Sequence, residues 1–420
     1  MQTAIIVGVD MPNSEYPIAY TLKELTNLAK ACDIKVIGEL SQNLEEINPK
    51  YYVGSGKVEE IKTMVISLDA DMVIFDDELS PSQIRNLEKA LDTKVIDRSL
   101  LILDIFSSRA NTAEAILEIK LARLTYMLPR LVGLNASLSR QGGGSGATSS
   151  KGAGEKQLEL DRRKIMAEIE QTKKKLKTIK NNRDLQRSKR EKTGIPIVSL
   201  VGYTNAGKSS TFNTLIEACK VQNNKEVLEK DMLFATLGTN VRKMVLPNKQ
   251  EILLIDTVGF VSKLPTLLVN SFRSTLEEIL NSSLIIHVVD ISNDFYENQI
   301  KVTNEVLKEI GVTDIPQLYL LNKTDKALNV PTVFNESLPF SNKTKFNVAE
   351  LLKQIQEKTK KLFNTLIDVN IPLTDGKTIS LMEAYGIIEA KIYTNEAIYY
   401  KAYIPNNILI KFKDYIKLNK

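Results

Sequence analysis

A run of glycines, a lysine and a serine between an apolar segment and a predicted helix has the spacing of a phosphate-binding loop. The apolar segment covers 195–201 and the helix is predicted over 210–216. In this context, backbone N–H groups and a helix N-terminus bind phosphate, the lysine adds positive charge at the β- and γ-phosphates, and the serine hydroxyl can bind Mg²⁺. The pattern predicts a nucleoside triphosphate site made of Gly202, Tyr203, Thr204, Asn205, Ala206, Gly207, Lys208, Ser209 and Ser210.

A second motif, Asp-x-x-Gly, follows the apolar segment 251–255. Its aspartate is expected to hold Mg²⁺ through water, and its glycine N–H to contact the γ-phosphate, because glycine lets the backbone approach closely. A switch segment between the two motifs must supply a second protein ligand, which we assign to Thr236. The nucleotide site is predicted to include both segments, with the switch residues Phe234, Ala235 and Thr236 and the motif residues Asp256, Thr257, Val258 and Gly259. The catalytic set is Lys208, Thr236 and Gly259, and the metal set is Ser209, Thr236 and Asp256.

Two details of these motifs bear on hydrolysis. Phe260 stands where Ras-like enzymes carry a glutamine that orients water, so intrinsic turnover is expected to be slow, and a partner or another element is expected to complete the site. Asn205 has the position at which some GTPases use asparagine to help hold K⁺, which gives a hypothesis of K⁺ dependence. The single histidine, His287, lies in an apolar segment and is expected to be a core or interface residue.

A third motif, Asn-Lys-x-Asp, indicates which base is bound. The carboxylate of Asp325 can accept both N1–H and the 2-amino group of guanine, whereas adenine would leave it unpaired. Asn322 is expected to tie the loops together and Lys323 to cover the base, and backbone N–H groups of a later loop could meet guanine O6. The base site is therefore predicted to comprise Asn322, Lys323, Asp325, Ser341, Asn342 and Lys343.

Positive charge is concentrated in one part of the chain. The net charge is +5, but residues 151–192 hold 15 Lys and Arg against 7 Asp and Glu. This stretch follows a glycine-rich segment, 139–154, which is either a flexible linker or a loop that approaches a large polyanion. A charged helix face is often merely solvated, but this concentration favours contact with RNA phosphates. The candidates are Arg140, Lys151, Arg162, Arg163 and Lys164.

The composition is that of a cytoplasmic protein. No apolar run approaches the roughly 18 residues of a membrane span, the first residues lack the basic region of a signal peptide, and two distant cysteines make neither a disulfide framework nor a metal site.

Four parts are predicted along the chain. Alternating strands and helices indicate an α/β domain over 1–125, and a glycine-rich loop with a basic helical hairpin over 126–193, with one long helix expected over 98–128 and another over 155–192. A P-loop G domain follows over 194–364, with a mostly parallel six-stranded sheet and helices on both faces. A small α+β domain covers 365–420.

The chain from about residue 50 to 345 resembles the HflX family of ribosome-associated GTPases, which are Obg/HflX-like P-loop GTPases of the translation-factor class. The resemblance rests on Tyr52-Val53-Gly54-Ser55-Gly56-Lys57, Ser139-Arg140-Gln141-Gly142-Gly143-Gly144, Asp161-Arg162-Arg163, the phosphate loop and Asp256-Thr257-Val258-Gly259-Phe260. The chain departs from the family pattern at Ala153 for proline, Ser210-Thr211 for Thr-Leu, Gly238-Thr239 for Asp-Pro, and Asn342 for alanine.

The resemblance implies a GTPase that binds the large ribosomal subunit and its rRNA, hydrolyses GTP faster there, and dissociates stalled or stressed ribosomes. It implies Mg²⁺ as the cofactor. The chain is expected to be a monomer. Two alternatives remain open, a GTPase switch in RNA modification or ribosome assembly, and a GTP-dependent RNA-binding module for which hydrolysis is only a timer.

Overall fold

The computed structural model describes residues 2–110, 112–131, 150–191, 195–219, 240–263, 278–327, 329, 336–362, 364–406 and 408–416. The chain divides into two compact units. Of the described residues, the first unit holds those up to 180 together with Ser262 and Lys263, and the second unit holds the rest. Among the described helices, none is long and apolar enough to cross a membrane.

The first unit begins with a parallel sheet whose strands alternate with helices. Across this sheet the strands lie in the order Ile34–Asn43, Gln2–Asp10, Met72–Phe75 and Lys94–Asp97. Ser80 caps the third helix with a capping box, and a proline takes the first helical position. The elements are β1 (Gln2–Asp10), α1 (Ile18–Ala31), β2 (Ile34–Asn43), α2 (Ser55–Leu68), β3 (Met72–Phe75), α3 (Pro81–Leu91) and β4 (Lys94–Asp97). The predicted α/β domain is confirmed.

The prediction of one helix over 98–128 is wrong. Two helices occur there, α4 (Arg98–Arg109) and α5 (Ala113–Met127). Ala110 has extended backbone angles, and the Thr112 hydroxyl accepts a hydrogen bond from the N–H of Ala115 at 3.2 Å, so a new helix starts at a proper N-cap. The basic helix α6 spans Ser150–Glu191 and so begins inside the glycine-rich segment 139–154, before the predicted start at residue 155. Lys120 of α5 pairs with Glu168 of α6 at 2.6 Å.

A buried charge network stands at the start of α4. The Arg98 guanidinium donates to Asp76 at 2.7 Å, to Ser262 at 3.1 Å, and to Glu24. Lys263 donates to the second oxygen of Asp76 at 2.7 Å. Burial raises the pKa of Asp76, while Arg98 and Lys263 oppose that shift. Sequence patterns did not reveal this network, because its members come from four distant segments.

A mostly parallel six-stranded sheet forms the larger part of the second unit. The strands are β5 (Ile197–Val201), β6 (Asn240–Val245), β7 (Glu251–Asp256), β8 (Leu284–Asp290), β9 (Gln317–Asn322) and β10 (Ser337–Pro339), and the helices are α7 (Lys208–Ala218), α8 (Tyr296–Glu309) and α9 (Val348–Thr359). The sheet order is β10-β9-β8-β5-β7-β6, and in it only β6 is antiparallel to its neighbour. Helices α7 and α9 share a core with one face, and α8 packs on the other, so the predicted sheet with helices on both faces is confirmed.

A three-stranded antiparallel sheet follows in the same unit. Its strands are β11 (Asn364–Pro372), β12 (Ile387–Tyr393) and β13 (Ala397–Pro405) in the order β11-β13-β12, with α10 (Gly376–Tyr385) between the first two. Tyr400 and Phe412 are fully buried in a core of its own. The predicted α+β fold of this segment is confirmed.

Candidate nucleotide site

The phosphate loop joins β5 to α7 and depends on two glycines with positive φ. Gly202 has φ +143°, and a Cβ there would lie 2.2 Å from the carbonyl oxygen of Val288. Gly207 has φ +99°, and a Cβ there would lie 2.2 Å from the amide nitrogen of Asn322. Any larger residue would therefore clash with fixed backbone or with a neighbouring loop.

Lys208 is held across this loop. Its ammonium group donates to the carbonyl oxygens of Gly202 at 3.1 Å and Tyr203 at 2.6 Å. Burial lowers the pKa of Lys208 from 10.5 to about 8, and the carboxylate of Asp256 partly opposes this shift. Burial of the charged ammonium group is therefore unfavourable in the free site, and an anion bound beside it would offset this desolvation cost.

Oxygen donors suited to Mg²⁺ meet beside the lysine. The Ser209 hydroxyl donates to the Asp256 carboxylate at 2.8 Å, and Asp256 is fully buried at the end of β7. Mg²⁺ prefers carboxylate and hydroxyl oxygens, so this pair fits the ion. The hydroxyl of Thr257 donates instead to the Leu200 carbonyl at 2.7 Å and so braces β7 against β5.

The Asp-x-x-Gly segment is joined to the phosphate loop by backbone hydrogen bonds. The Thr204 N–H donates to the Phe260 carbonyl at 2.7 Å, and the Phe260 N–H donates to the Gly202 carbonyl at 3.1 Å. A Cβ on Gly259 would lie 2.9 Å from both Lys208 Nζ and Thr204 Cα. The Phe260 side chain is only 2% exposed, so it points into the protein core.

Asn322, at the end of β9, contacts both sides of the site. Its Nδ2 donates to the Ala206 carbonyl at 2.8 Å, and its Oδ1 accepts from the N–H of Asn342 at 3.3 Å. Next to it, Lys323 forms an ion pair with Asp290 at 2.7 Å, a partner that the motif did not indicate. One amide therefore links the phosphate loop to the loop predicted to meet the base.

The carboxylate of Asp325 is already oriented by a neighbour. The buried Ser341 hydroxyl donates to Asp325 Oδ1 at 2.7 Å, and this bond is the main reason that the pKa of Asp325 is lowered. Asp325 is otherwise exposed, so its other oxygen can accept hydrogen bonds. Lys343 is exposed on the same loop.

Three further sets of residues were singled out by the sequence. Phe234, Ala235, Thr236 and Arg140 lie outside the described residues. Arg162, Arg163 and Lys164 are exposed on α6, where Arg163 pairs with Glu159 and Lys164 with Asp161, and Lys151 lies on the same helix. His287 is 1% exposed against Tyr319, and burial lowers its pKa to about 3, which keeps it neutral.

Three family models match consecutive parts of the chain. They are described as GTP-binding GTPase N-terminal over residues 19–107, GTP-binding GTPase Middle Region over 109–190, and 50S ribosome-binding GTPase over 197–323. The last of these covers the phosphate loop, the Asp-x-x-Gly segment and the first two residues of Asn-Lys-x-Asp.

Curated relatives resemble the chain over nearly its whole length. A protein named GTPase HflX from Caldanaerobacter subterraneus subsp. tengcongensis is 40% identical over 418 residues, which cover 99% of this chain and 94% of that protein. Another from Escherichia coli is 37% identical, covering 90% and 85%. A crystal structure of a GTP-binding protein from Sulfolobus solfataricus in complex with GDP is 24% identical, covers 86% of this chain and 100% of that one, and gives a TM-score of 0.45.

Proposed function

Because this chain belongs to the HflX family of GTPases, we propose that it binds the large ribosomal subunit, is stimulated there, and dissociates stalled or stressed ribosomes. GTP binding and hydrolysis follow from the family itself. The proposed binding to the ribosome is supported by the family model that matches residues 197–323, which is described as a 50S ribosome-binding GTPase. Work on ribosomes would take place in the cytoplasm, and we propose that the chain acts there as a monomer.

The phosphate side of the site supports binding of the triphosphate. Backbone N–H groups of 202–207 and the start of α7 would hold the β-phosphate, and Lys208 would donate to the β- and γ-phosphates in place of the two loop carbonyls. Ser209 would bind Mg²⁺ directly, Asp256 through water, and Thr236 would be the second protein ligand when GTP is bound. The ion supplies charge neutralisation at the phosphates.

The base side of the site supports guanine. Asp325, oriented by Ser341, would accept from N1–H and the 2-amino group of guanine, and backbone N–H groups of Ser341, Asn342 and Lys343 lie on the loop that would face O6. A base without those donors would leave the carboxylate unpaired, which disfavours it.

The observation that carries the proposal is the burial of Phe260. This residue follows the γ-phosphate-sensing glycine, yet its side chain is 2% exposed and its backbone is bonded to the phosphate loop. A buried phenyl ring can neither orient nor polarise an attacking water. The site therefore needs a group from elsewhere to reach full turnover, and a stimulating partner supplies one.

The charge of α6 indicates what kind of partner this is. Arg162, Arg163 and Lys164 are exposed on a helix within the most basic stretch of the chain. The ion pairs of Arg163 and Lys164 are on the surface, where such pairs contribute little and are easily exchanged for phosphate contacts. We propose that these residues, with Arg140 and Lys151, contact rRNA.

The direct test is GTP turnover by the full chain with purified large ribosomal subunits, with small subunits at equal concentration as the control. Stimulation of at least tenfold by large subunits alone is expected. Equal rates with large subunits, with small subunits and with the chain alone would contradict the proposal. Stimulated turnover without any splitting of 70S particles in light scattering would instead favour a GTPase that acts in RNA modification or assembly.

Potassium dependence belongs to the same proposal. Asn205 is exposed in the phosphate loop with φ +61°, so its side chain is accessible to an ion near the phosphates. Turnover is expected to be faster in KCl than in NaCl at equal ionic strength, and the difference should disappear in Asn205→Ala. Equal rates for the unmodified chain in the two salts would contradict K⁺ binding.

A further inference from the structure

Asn342 has a second set of contacts besides its backbone bond to Asn322. Its side-chain Nδ2 donates to the Thr211 hydroxyl at 3.0 Å and to the Gly207 carbonyl at 3.3 Å. Its Oδ1 accepts from the Thr214 hydroxyl at 3.1 Å. The amide therefore points away from the predicted base position and into the first turns of α7.

The orientation of this amide is determined by its partners. The Gly207 carbonyl can only accept a hydrogen bond, so the nitrogen of Asn342 must face it, and the oxygen then faces Thr214. The Thr211 hydroxyl donates to the same carbonyl at 2.8 Å and accepts from Asn342, so its donor and acceptor roles are both used. Both threonines are buried, at 0% and 8% exposure.

The side chains of Asn342 and Thr211 contact each other directly through a hydrogen bond. An alanine at 342 could make none of the three side-chain bonds, and a leucine at 211 could not accept one.

We propose that Asn342 is a positioning residue that fastens the guanine-contacting loop to the phosphate-binding helix and thereby slows nucleotide release. The loop 341–343 would hold the base, while Gly207 and α7 hold the phosphates. The nucleotide lies across both, so its release requires the two parts to separate. Asn322 supplies one link between them, and Asn342 adds a second through Gly207, Thr211 and Thr214.

The experiment is the dissociation of N-methylanthraniloyl-GDP from the full chain, chased with excess GDP and followed by fluorescence. Asn342→Ala is expected to raise the dissociation rate about five- to tenfold, since hydrogen bonds of ordinary net strength are lost from the site. Thr211→Val, which keeps the side-chain shape, should raise it by a smaller factor. Thr303→Val is the matched control, because its buried hydroxyl makes the same bond within α8 and reaches no loop of the site.

The double variant Asn342→Ala/Thr211→Val distinguishes positioning from simple loss of stability. If Thr211 acts through Asn342, the double variant should release the nucleotide no faster than Asn342→Ala alone. The melting temperature of the nucleotide-free chain should change equally little in Asn342→Ala and in the Thr303 control. An unchanged dissociation rate in Asn342→Ala, or fully multiplicative effects in the double variant, would overturn the inference.

This inference rests on the assignment of the guanine site above and does not depend on the ribosome. Asp325→Asn separates the two ideas. If that variant fails to change base preference, the base assignment is wrong. If it changes base preference while Asn342→Ala releases GDP at the normal rate, only the role of Asn342 is refuted.

Discussion

Asp325 is the residue whose replacement tests the identity of the base. With Asp325→Asn, the amide would donate where guanine also donates, whereas the 2-oxo group of xanthine could accept. Preference should shift from GTP towards XTP, with guanine nucleotide affinity reduced by at least 100-fold. Competition binding of GTP against XTP measures this shift, and unchanged preference for GTP would refute the assignment.

Ser341→Ala serves as a graded control for that experiment. It removes only the hydroxyl that orients Asp325, so we expect weaker guanine binding, by about three- to tenfold, without a change of base preference.

Lys208 should make nucleotide binding depend on pH. Its pKa is lowered to about 8 in the free site, so above pH 8 it is mostly neutral there. Phosphate beside it favours the charged form and raises the pKa again, so GDP binding should take up a proton and weaken as the pH rises above about 8. Calorimetry at pH 8.5 in two buffers of different ionisation enthalpy measures this uptake.

The variant Lys208→Arg is the control, since guanidinium stays charged at every pH used. Its binding should be weaker but independent of the buffer. The absence of proton uptake by the unmodified chain would contradict the lowered pKa.

The lowered pKa of Lys208 also affects the stability of the nucleotide-free protein. Between pH 8 and 10.5 this lysine binds more protons in the unfolded chain than in the folded one. The free energy of unfolding should therefore rise with pH through that window.

For single residues, motif spacing predicted which loops form the site but not which side chains contact the motif residues. Glycine, lysine and aspartate follow their strands as predicted, because the chemistry of phosphate and guanine requires those types at strand ends. Thr214, which donates to Asn342 across 128 positions, and Asp290, which pairs with Lys323, could not be predicted. Their roles depend on packing between elements that single-sequence patterns do not position.

Among the elements, α6 allows a matched comparison of charge. Changing Arg162, Arg163 and Lys164 to glutamine should weaken binding to large subunits by at least tenfold at 0.15 M salt. The slope of log affinity against log salt concentration should fall by about two to three units, because phosphate contacts are lost. Sedimentation of the chain with large subunits over a salt series measures both.

The control changes Lys173, Lys174 and Lys175 on the same helix, which removes the same charge. If both triple variants lose affinity equally, only net charge matters and no specific contact is made by the first group.

Element boundaries were predicted less well than element types. The apolar residues of 98–128 continue with helical spacing across the break at Ala110, so periodicity alone indicates one helix. The break depends on Thr112, whose hydroxyl caps the second helix, and a threonine inside an apolar pattern is a weak signal. The start of α6 within a glycine-rich segment shows the same limit.

For the molecule as a whole, the buried network at Arg98 should be a main determinant of stability in the first unit. Arg98→Met leaves the carboxylates of Glu24 and Asp76 buried with fewer donors, so the free energy of unfolding should fall by about 3–5 kcal/mol. Urea unfolding followed by circular dichroism measures this loss. Arg123→Met, which breaks an exposed pair with Asp104, should cost under about 1 kcal/mol, and equal losses would contradict the argument.

The domain boundaries at 125, 193 and 364 remain predictions. The fold class of each part could be predicted from alternation and motifs. The assignment of Ser262 and Lys263 to the first unit could not be predicted from the sequence. It depends on ion pairs of Lys263 with Asp76 and Asp77, which are 187 and 186 positions away.

The two backbone hydrogen bonds that join Phe260 to Gly202 and Thr204 have a kinetic consequence. Neither the phosphate loop nor the Asp-x-x-Gly segment can open without breaking both bonds, so the two segments move as one cooperative unit. The amide protons of Thr204 and Phe260 should then exchange with heavy water at matching rates. A change of bound nucleotide should alter both exchange rates together, so this pair of amide protons measures how often the site opens.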